Sequence, residues 1–197
     1  MNHKLKLQNA VNYSDLRVNI KDITLNKYIT TDNLLPNKQG VGIAVNLPPQ
    51  IGNIRFFEPK NILVSNIRPY LKKIWFSDKY GGCSADVLVF VVQEDYVPKF
   101  IYYSMLRDCF FDHMVRGSKG TKMPRGDKNQ ILEFAIPNFS PKMQEKIASV
   151  LSSLDDKIEL NNRINSELEN LAKTIYDYWF VQFDFPDENG KPYKSSG

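Results

Sequence analysis

Residues 141–185 read PKMQEKIASVLSSLDDKIELNNRINSELENLAKTIYDYWFVQFDF, and the segment from Lys142 to Phe185 contains neither glycine nor proline. Ser140-Pro141 is a helix start, a hydroxyl cap followed by a proline whose missing N–H costs nothing in the first turn. Beyond it Ile147, Leu151, Leu154, Ile158, Asn161, Asn165, Leu168, Ala172 and Ile175 alternate in steps of four and three. That is a heptad seam with two central amides. Leu160, Ile164 and Leu171 widen the apolar stripe. About 40 helical residues at ~1.5 Å each make a rod of roughly 60 Å. Such a rod is not stable alone in water, so it either folds back on its own body or pairs with another helix. Asn161 and Asn165 suit a pair whose register matters, because buried amides reward matched partners.

Upstream the texture differs. Val41–Leu47, Ile54–Phe57, Asn61–Ile67 and Val87–Val92 are short β-branched or aromatic runs, most of them bounded by Gly, Pro or Asn, and each is expected to be a strand. Asn26–Gln39 reads as an irregular loop. Pro98–Val115 changes to helical spacing through Ile101, Met105, Cys109 and Phe110, predicting one helix that exits at Gly117. Leu132–Ile136 is a last apolar segment before Pro137. The expected class is α+β: residues 1–140 form a mixed body of short strands and helices, 141–185 one long C-terminal coiled-coil helix, and 186–197 a polar, turn-like tail.

Composition narrows the function classes. The chain has 197 residues, 42% apolar and 24% charged, which is ordinary for a globular protein. Val87–Val92, the longest apolar run, is far short of the ~20 residues that span a bilayer, and the N-terminus leads into no apolar segment of a signal peptide. Cys83 and Cys109 are too few for a disulfide framework, so the reducing cytoplasm is the expected compartment. The formal charge of +4 is unevenly distributed. Residues 141–197 hold seven basic and ten acidic side chains, leaving 19 basic and 12 acidic ones in the body, or +7. A basic body favours an anionic partner, nucleic acid first.

Two segments concentrate that charge. Arg116, Lys119, Lys122, Arg125 and Lys128 recur at every third residue with one acid, Asp127, among them. Gly117, Gly120 and Gly126 permit close backbone approach, and Ser118 and Thr121 add hydroxyls. Phosphate contacts need such donors, and Arg or Lys also reads guanine edges. The second segment, Asn66 to Trp75, interleaves Arg68, Lys72 and Lys73 with Tyr70 and Trp75. A catalytic search returns nothing. No phosphate-binding glycine loop and no dinucleotide fingerprint occur. Asn46-Leu47-Pro48-Pro49 only superficially matches an amino-methyltransferase motif, having an extra leucine and no aromatic residue. Cys109 and His113 at i, i+4 are a conceivable ligand pair whose nearest partners, Cys83 and His3, are distant in sequence. They read better as a packed helix face than as a metal site.

Asn61–Pro69 with Gly81–Ser84, Gly120–Lys128, and the helix from Gln144–Ile147 through Leu154–Asn162 together resemble one half of a specificity subunit of type I restriction–modification systems. Trp179–Val181, Phe183–Pro186 and Asn189–Tyr193 resemble the same family, so the likeness runs along essentially the whole chain. The resemblance implies a target recognition domain that reads one half of a split DNA site, followed by a spacer helix that pairs antiparallel with a second such helix and docks the modification subunits. It implies no catalysis and no cofactor on this chain: S-adenosylmethionine, ATP and Mg belong to the modification and restriction (motor nuclease) subunits. The family carries two recognition domains where this sequence has one, as expected of a natural, truncated or engineered half subunit. The expected assembly is a homodimer on an inverted, spaced site in double-stranded DNA. The DNA face is assigned to Arg68, Lys72, Lys73, Arg116, Lys119, Lys122, Arg125 and Lys128, with Ser118, Thr121 and Asn66 in support. The rival reading is a scaffold that recruits modification subunits through its helix and reads no DNA.

Overall fold

A computed structural model describes residues 4–48 and 52–195. The chain divides into two compact units, residues 1–149 and 150–197. The described part of the first unit contains strands β1 (Lys4–Lys6), β2 (Val11–Tyr13), β3 (Arg17–Asn19), β4 (Tyr28–Ile29), β5 (Asn53–Phe57), β6 (Ile62–Ser65), β7 (Ile74–Phe76), β8 (Gly81–Cys83), β9 (Val87–Val92) and β10 (Ala135–Pro137). Its helices are α1 (Pro98–Met105), α2 (Asp108–Arg116) and α3 (Lys128–Leu132), and the start of α4 (Pro141–Tyr176) completes it.

The strands form two four-stranded sheets, β2-β9-β6-β7 and β3-β5-β8-β4, and a separate short β1-β10 ladder. All pairings are antiparallel except β4 with β8. The sheet centred on β9 and β6 is covered on both faces. Ile62, Val64, Leu88 and Phe90 pack with Phe100, Ile101, Met105, Phe110, Phe111 and Met114 of α1 and α2. The alternate residues Leu63, Val87 and Val89 pack with Ile29, Leu34, Phe57, Trp75 and Cys83. Burial on both faces is why β6 and β9 read as continuous apolar runs, and each fully buried large side chain contributes about 1.5–3 kcal/mol. β8 begins with two glycines because a Cβ at Gly81 would stand 2.1 Å from the Lys27 carbonyl oxygen and one at Gly82 2.2 Å from Ile54 Cδ1.

Three sequence expectations are corrected by tertiary context. Val41–Leu47 is not a strand; it holds only an isolated bridge, Leu34 with Val41, and Ile43 and Val45 are 75% and 85% exposed. The backbone of Gly42 is instead bound to Asn33, and Pro48 and Pro49 offer no N–H to continue a ladder. The expected single helix over 98–115 is two, α1 and α2, separated by Arg107 in an extended conformation (φ −67°, ψ 144°). At ~100° per residue a continuous helix would carry the Phe110–Phe111–Met114 face about 100° away from that of Phe100, Ile101 and Met105; the break turns both onto the sheet. Finally, the helix expected to reach residue 185 ends as α4 at Tyr176 and continues as a π-helical turn only through Asp177–Val181.

The first turns of α4 belong to the first unit. Gln144, 2% exposed, accepts from the Val97 N–H (3.0 Å) and donates to the Phe139 carbonyl (2.8 Å). Ala148 is buried in the main core and Ile147 packs on it. In the second unit the helix from residue 153 to Tyr176 is exposed throughout. Leu160, Leu171, Ile164, Ile175, Leu168, Leu154 and Ile158 fall within an arc of about 160° at ~100° per residue. Past the π turn, Phe183 takes a left-handed conformation (φ 52°) and reverses the chain. Phe185 then stacks between Trp179 (4.7 Å) and Tyr193 (4.9 Å), so the polar tail closes on its own aromatic stack.

Candidate nucleic-acid interface

The two basic segments identified in the sequence are brought together by backbone hydrogen bonds. Lys119 and Arg125 exchange N–H···O bonds of 2.9 Å each, which makes 119–125 a small hairpin with Lys122 in its tip; Gly120 supplies the left-handed turn (φ 97°). The hairpin docks on the chain after β6: the Arg68 N–H donates to the Pro124 carbonyl (2.9 Å) and the Gly126 N–H to the Asn66 carbonyl (3.1 Å). A Cβ at Gly126 would lie 2.9 Å from Asn66 Oδ1 and 3.0 Å from Ile131 Cδ1, so glycine is what permits this joint. Asp127 then caps α3 by accepting from the N–H groups of Asn129 (2.9 Å) and Gln130 (3.2 Å). Those N–H groups, Gln130 first, hold its carboxyl below the ordinary range, with Lys119 adding to the effect.

Arg68 (φ 49°) and Lys72 (φ 51°) are both left-handed and bracket a 3-10 turn over Pro69–Leu71. Non-glycine residues occupy this region at a cost, of order 1–3 kcal/mol each, and persist where the surrounding structure over-determines the backbone, as it often does at functional sites. A third segment completes the surface; it falls in Asn26–Gln39, expected as an irregular loop but opening with the end of a 3-10 turn and with β4, which its pairing to β8 fixes. The N–H groups of Asn37 and Lys38 donate to the carbonyls of Leu71 and Lys72 (2.9 Å each), and Lys73 Nζ donates to the Thr31 carbonyl. Lys38 (2.6 Å) and Lys72 (3.0 Å) share Asp108, and these two cations, Lys38 first, hold the Asp108 carboxyl below its usual range. Pro36 and Gly40 flag a turn here, but no local signal says what it docks against.

The expected DNA-face residues fall into three groups. Arg68, Lys119, Lys122 and Arg125 belong to the joined turn and hairpin, and Thr121 is exposed in the tip. Of these, Arg125 pairs with Asp86 (3.0 Å) and Lys119 with Asp127 (3.7 Å); exposed pairs of this kind are worth about 0–1 kcal/mol and open readily to a polyanion. Lys72 and Lys73 are half-buried and engaged within the fold. Arg116 ends α2 and Lys128 opens α3; both are exposed, but neither takes part in the hairpin ladder. Ser118 donates its hydroxyl to the Val115 carbonyl (2.7 Å). Asn66 is 9% exposed and holds the joint through its backbone. On the helix, Leu154, Ile158, Asn161, Asn165, Leu168, Ala172 and Ile175 are exposed and Leu151 is half-buried. Ile147 is corrected: expected on the pairing seam, it packs against its own core, because the first turns of α4 are fastened there by Gln144.

Cys109 and His113 form no ligand set. His113 Nε2 lies 2.7 Å from the Gln130 carbonyl, and among the described residues no group of three or more potential metal ligands occurs. Among the described residues no helix is long and apolar enough to cross a membrane.

Comparison with known proteins gives the family and the fold. A family model described as the type I restriction modification DNA specificity domain matches residues 5–170. The type I restriction enzyme HindI specificity subunit of Haemophilus influenzae is 27% identical over 166 residues, 80% of this chain and 36% of that protein. The MjaIX specificity subunit of Methanocaldococcus jannaschii is 31% identical over 94 residues, 48% of this chain and 22% of that protein. The fold is that of the HsdS subunit from Thermoanaerobacter tengcongensis, with a TM-score of 0.60 at 16% identity over 95% of this chain and 50% of that one. It is equally that of a type I S subunit from M. genitalium, with a TM-score of 0.59 at 17% identity over 94% and 46%. The chain thus spans half or less of the length of these relatives.

Proposed function

Because the chain belongs to the type I restriction modification DNA specificity domain family, we propose that it is a DNA sequence-recognition subunit, directing methyltransferase and restriction subunits to a bipartite target. The observation that carries this reading is the docking of the 119–125 hairpin on the Arg68 turn, which gathers Arg68, Lys119, Lys122 and Arg125 on one surface. Cations on a rigid, backbone-bonded support are suited to holding phosphates and presenting a few side chains to base edges. In this reading the chain performs no chemistry. S-adenosylmethionine, ATP and Mg act on the partner subunits, and the complex works in the cytoplasm.

The helix supplies spacing and assembly. Leu154, Ile158, Leu168 and Ile175 are 50–59% exposed, an unfavourable arrangement unless covered. A second copy of the chain covers that seam, with Asn161 and Asn165 matched across it, and two recognition domains then read inverted half-sites. The stripe is broader than one helix covers, and its flank of Leu160, Ile164 and Leu171 is left for the modification subunits. The same stripe is what favours the rival scaffold reading.

Selection of bound duplexes from a random pool separates the two. Enrichment of an inverted, spaced motif is expected, and none is enriched by a scaffold. Lys119→Ala with Lys122→Ala should lower the salt slope of binding by about 0.9 per lost phosphate contact; an unchanged slope removes the hairpin from the interface. Sedimentation should give a dimer at micromolar concentration that Leu154→Asp or Ile158→Asp converts to monomer.

A further inference from the structure

Beside the hairpin lies a surface that the charge pattern does not mark. We propose that the turn Thr30–Asn33 and the loop Gly42–Leu47 form a second base-reading element, in which the Asp32 carboxylate accepts a hydrogen bond from an exocyclic amino group of cytosine or adenine while Ile43 and Val45 meet thymine methyl groups. This rests on the DNA-recognition reading above.

Position is the first support. Asp32 lines two neighbouring concavities. One, of about 250 Å³, is walled by Ile67, Arg68, Lys73 and Met123 of the turn and hairpin. The other, of about 320 Å³, is walled by Ile43, Val45 and Asn46. A duplex lying on the Arg68–Lys122 surface therefore meets Asp32 and the loop behind it.

Rigidity is the second. Asn33, 7% exposed, donates its amide to the Tyr28 (2.9 Å) and Gly42 (3.0 Å) carbonyls and accepts from the Thr30 N–H (2.6 Å). Leu34 and Ala44 are buried at 0% and 4%. Ile43 and Val45, on either side of Ala44, are thus held outward by a fixed base at 75% and 85% exposure, two branched apolar side chains kept in water for no structural gain.

Chemistry is the third. A carboxylate is an acceptor only. Among the described residues Asp32 makes no ion pair, although Arg68 and Lys73 share its cavity. Close to phosphates such a group repels, and what a duplex itself offers to compensate it is a base-edge donor: cytosine N4 and adenine N6 are the donors in the major groove, and the thymine methyl is its apolar feature. The cationic neighbours select a nucleic acid over an apolar protein partner for this loop.

The test uses the full chain and the duplex it selects from a random pool, measured against a scrambled duplex. Asp32→Ala should tighten binding to the scrambled duplex and weaken binding to the selected one, so that the ratio of the two affinities falls by roughly 5- to 150-fold, the equivalent of about 1–3 kcal/mol for one base contact. Repeating the selection with Asp32→Ala should lose preference at one position. Replacing thymidine by deoxyuridine, which removes only the methyl, should weaken wild-type binding and leave a variant carrying Ile43→Ser and Val45→Ser unaffected. Equal changes on both duplexes for Asp32→Ala, together with indifference to deoxyuridine, overturn this proposal while leaving DNA recognition intact. If the wild type selects no motif, both readings fall. Loss of the dimer in the Ile43→Ser, Val45→Ser variant would assign the loop to a protein contact and also overturn it.

Discussion

Replacing Arg68 by glycine and by alanine separates two consequences of one backbone conformation. Arg68 is exposed, at φ 49° and ψ 60°, and its contacts to the hairpin are made by its backbone. Both replacements remove the guanidinium and keep the N–H donated to Pro124. Only glycine relieves the left-handed cost, about 1–2 kcal/mol for an L-residue, of which its greater freedom in the unfolded chain returns about 0.5–1. Arg68→Gly should therefore stabilise the fold by about 0.5–1 kcal/mol. With a urea dependence of about 2 kcal/mol per molar, the midpoint rises by roughly 0.3–0.5 M. Arg68→Ala keeps the cost and should leave the midpoint within about 0.2 M of wild type. In DNA binding the two variants should be indistinguishable, each with a salt slope lower by about 0.9. Urea titration followed by circular dichroism gives the first readout and salt-dependent fluorescence anisotropy the second. A glycine variant no more stable than the alanine variant would refute the assignment of strain to this turn; unequal DNA affinities would show that the backbone conformation at this position, and not loss of the guanidinium alone, sets the binding.

Other outcomes follow from the same geometry. Gly126→Ala forces a methyl within 3.0 Å of Asn66 Oδ1 and should cost about 1–3 kcal/mol in urea unfolding, with loss of DNA binding because the hairpin is unseated. Asp127 has its carboxyl held low by the N–H groups of α3, so its contribution is present above the ordinary carboxylate value near 3.8 and is lost as pH falls through the lower folded value. The wild type should lose stability across that acidic window more steeply than Asp127→Asn, and equal slopes would sink the cap. Burial pushes the Cys83 thiol up to about 12 from an ordinary value near 9, whereas Cys109 is exposed. One thiol should react with a disulfide reagent in the native protein and two after denaturation. The Cys83 contribution, complete below pH 9, should decline as pH rises from about 9 towards 12, a decline that Cys83→Ala lacks.

How far the chain could be read varies with the range of the interactions involved. β9 and β6 were legible because burial on both faces leaves an unbroken apolar run, and β5 because Ile54–Phe57 is bounded by Gly52 and Pro59. The strands before residue 40 were missed: β1, β2 and β3 are three residues each and β4 two, too short for a period to register, and each is fixed by a partner far along the chain. Val41–Leu47 misled because a β-branched run bounded by Gly and Pro normally marks a strand; here Ile43 and Val45 face out and the buried member is Ala44.

For the candidate site, charge spacing identified the hairpin and the Arg68 turn separately. Their union depends on two hydrogen bonds across more than fifty residues of sequence and on the absence of a side chain at Gly126. The Thr30–Leu47 segment was invisible to charge reading since its informative residues are one acid and two exposed aliphatics.

The sequence by itself determined the long helix with its apolar stripe, the basic body and the two cationic segments, for these are properties of spacing and composition that neighbouring residues enforce. Tertiary structure alone decided that α1 and α2 are separate, that Ile147 belongs to the core and not to the seam, and that three loops meet at Asp32 and Arg68. Those outcomes depend on which surfaces touch across long stretches of chain, where close packing permits a contact only if every intervening element is already in place.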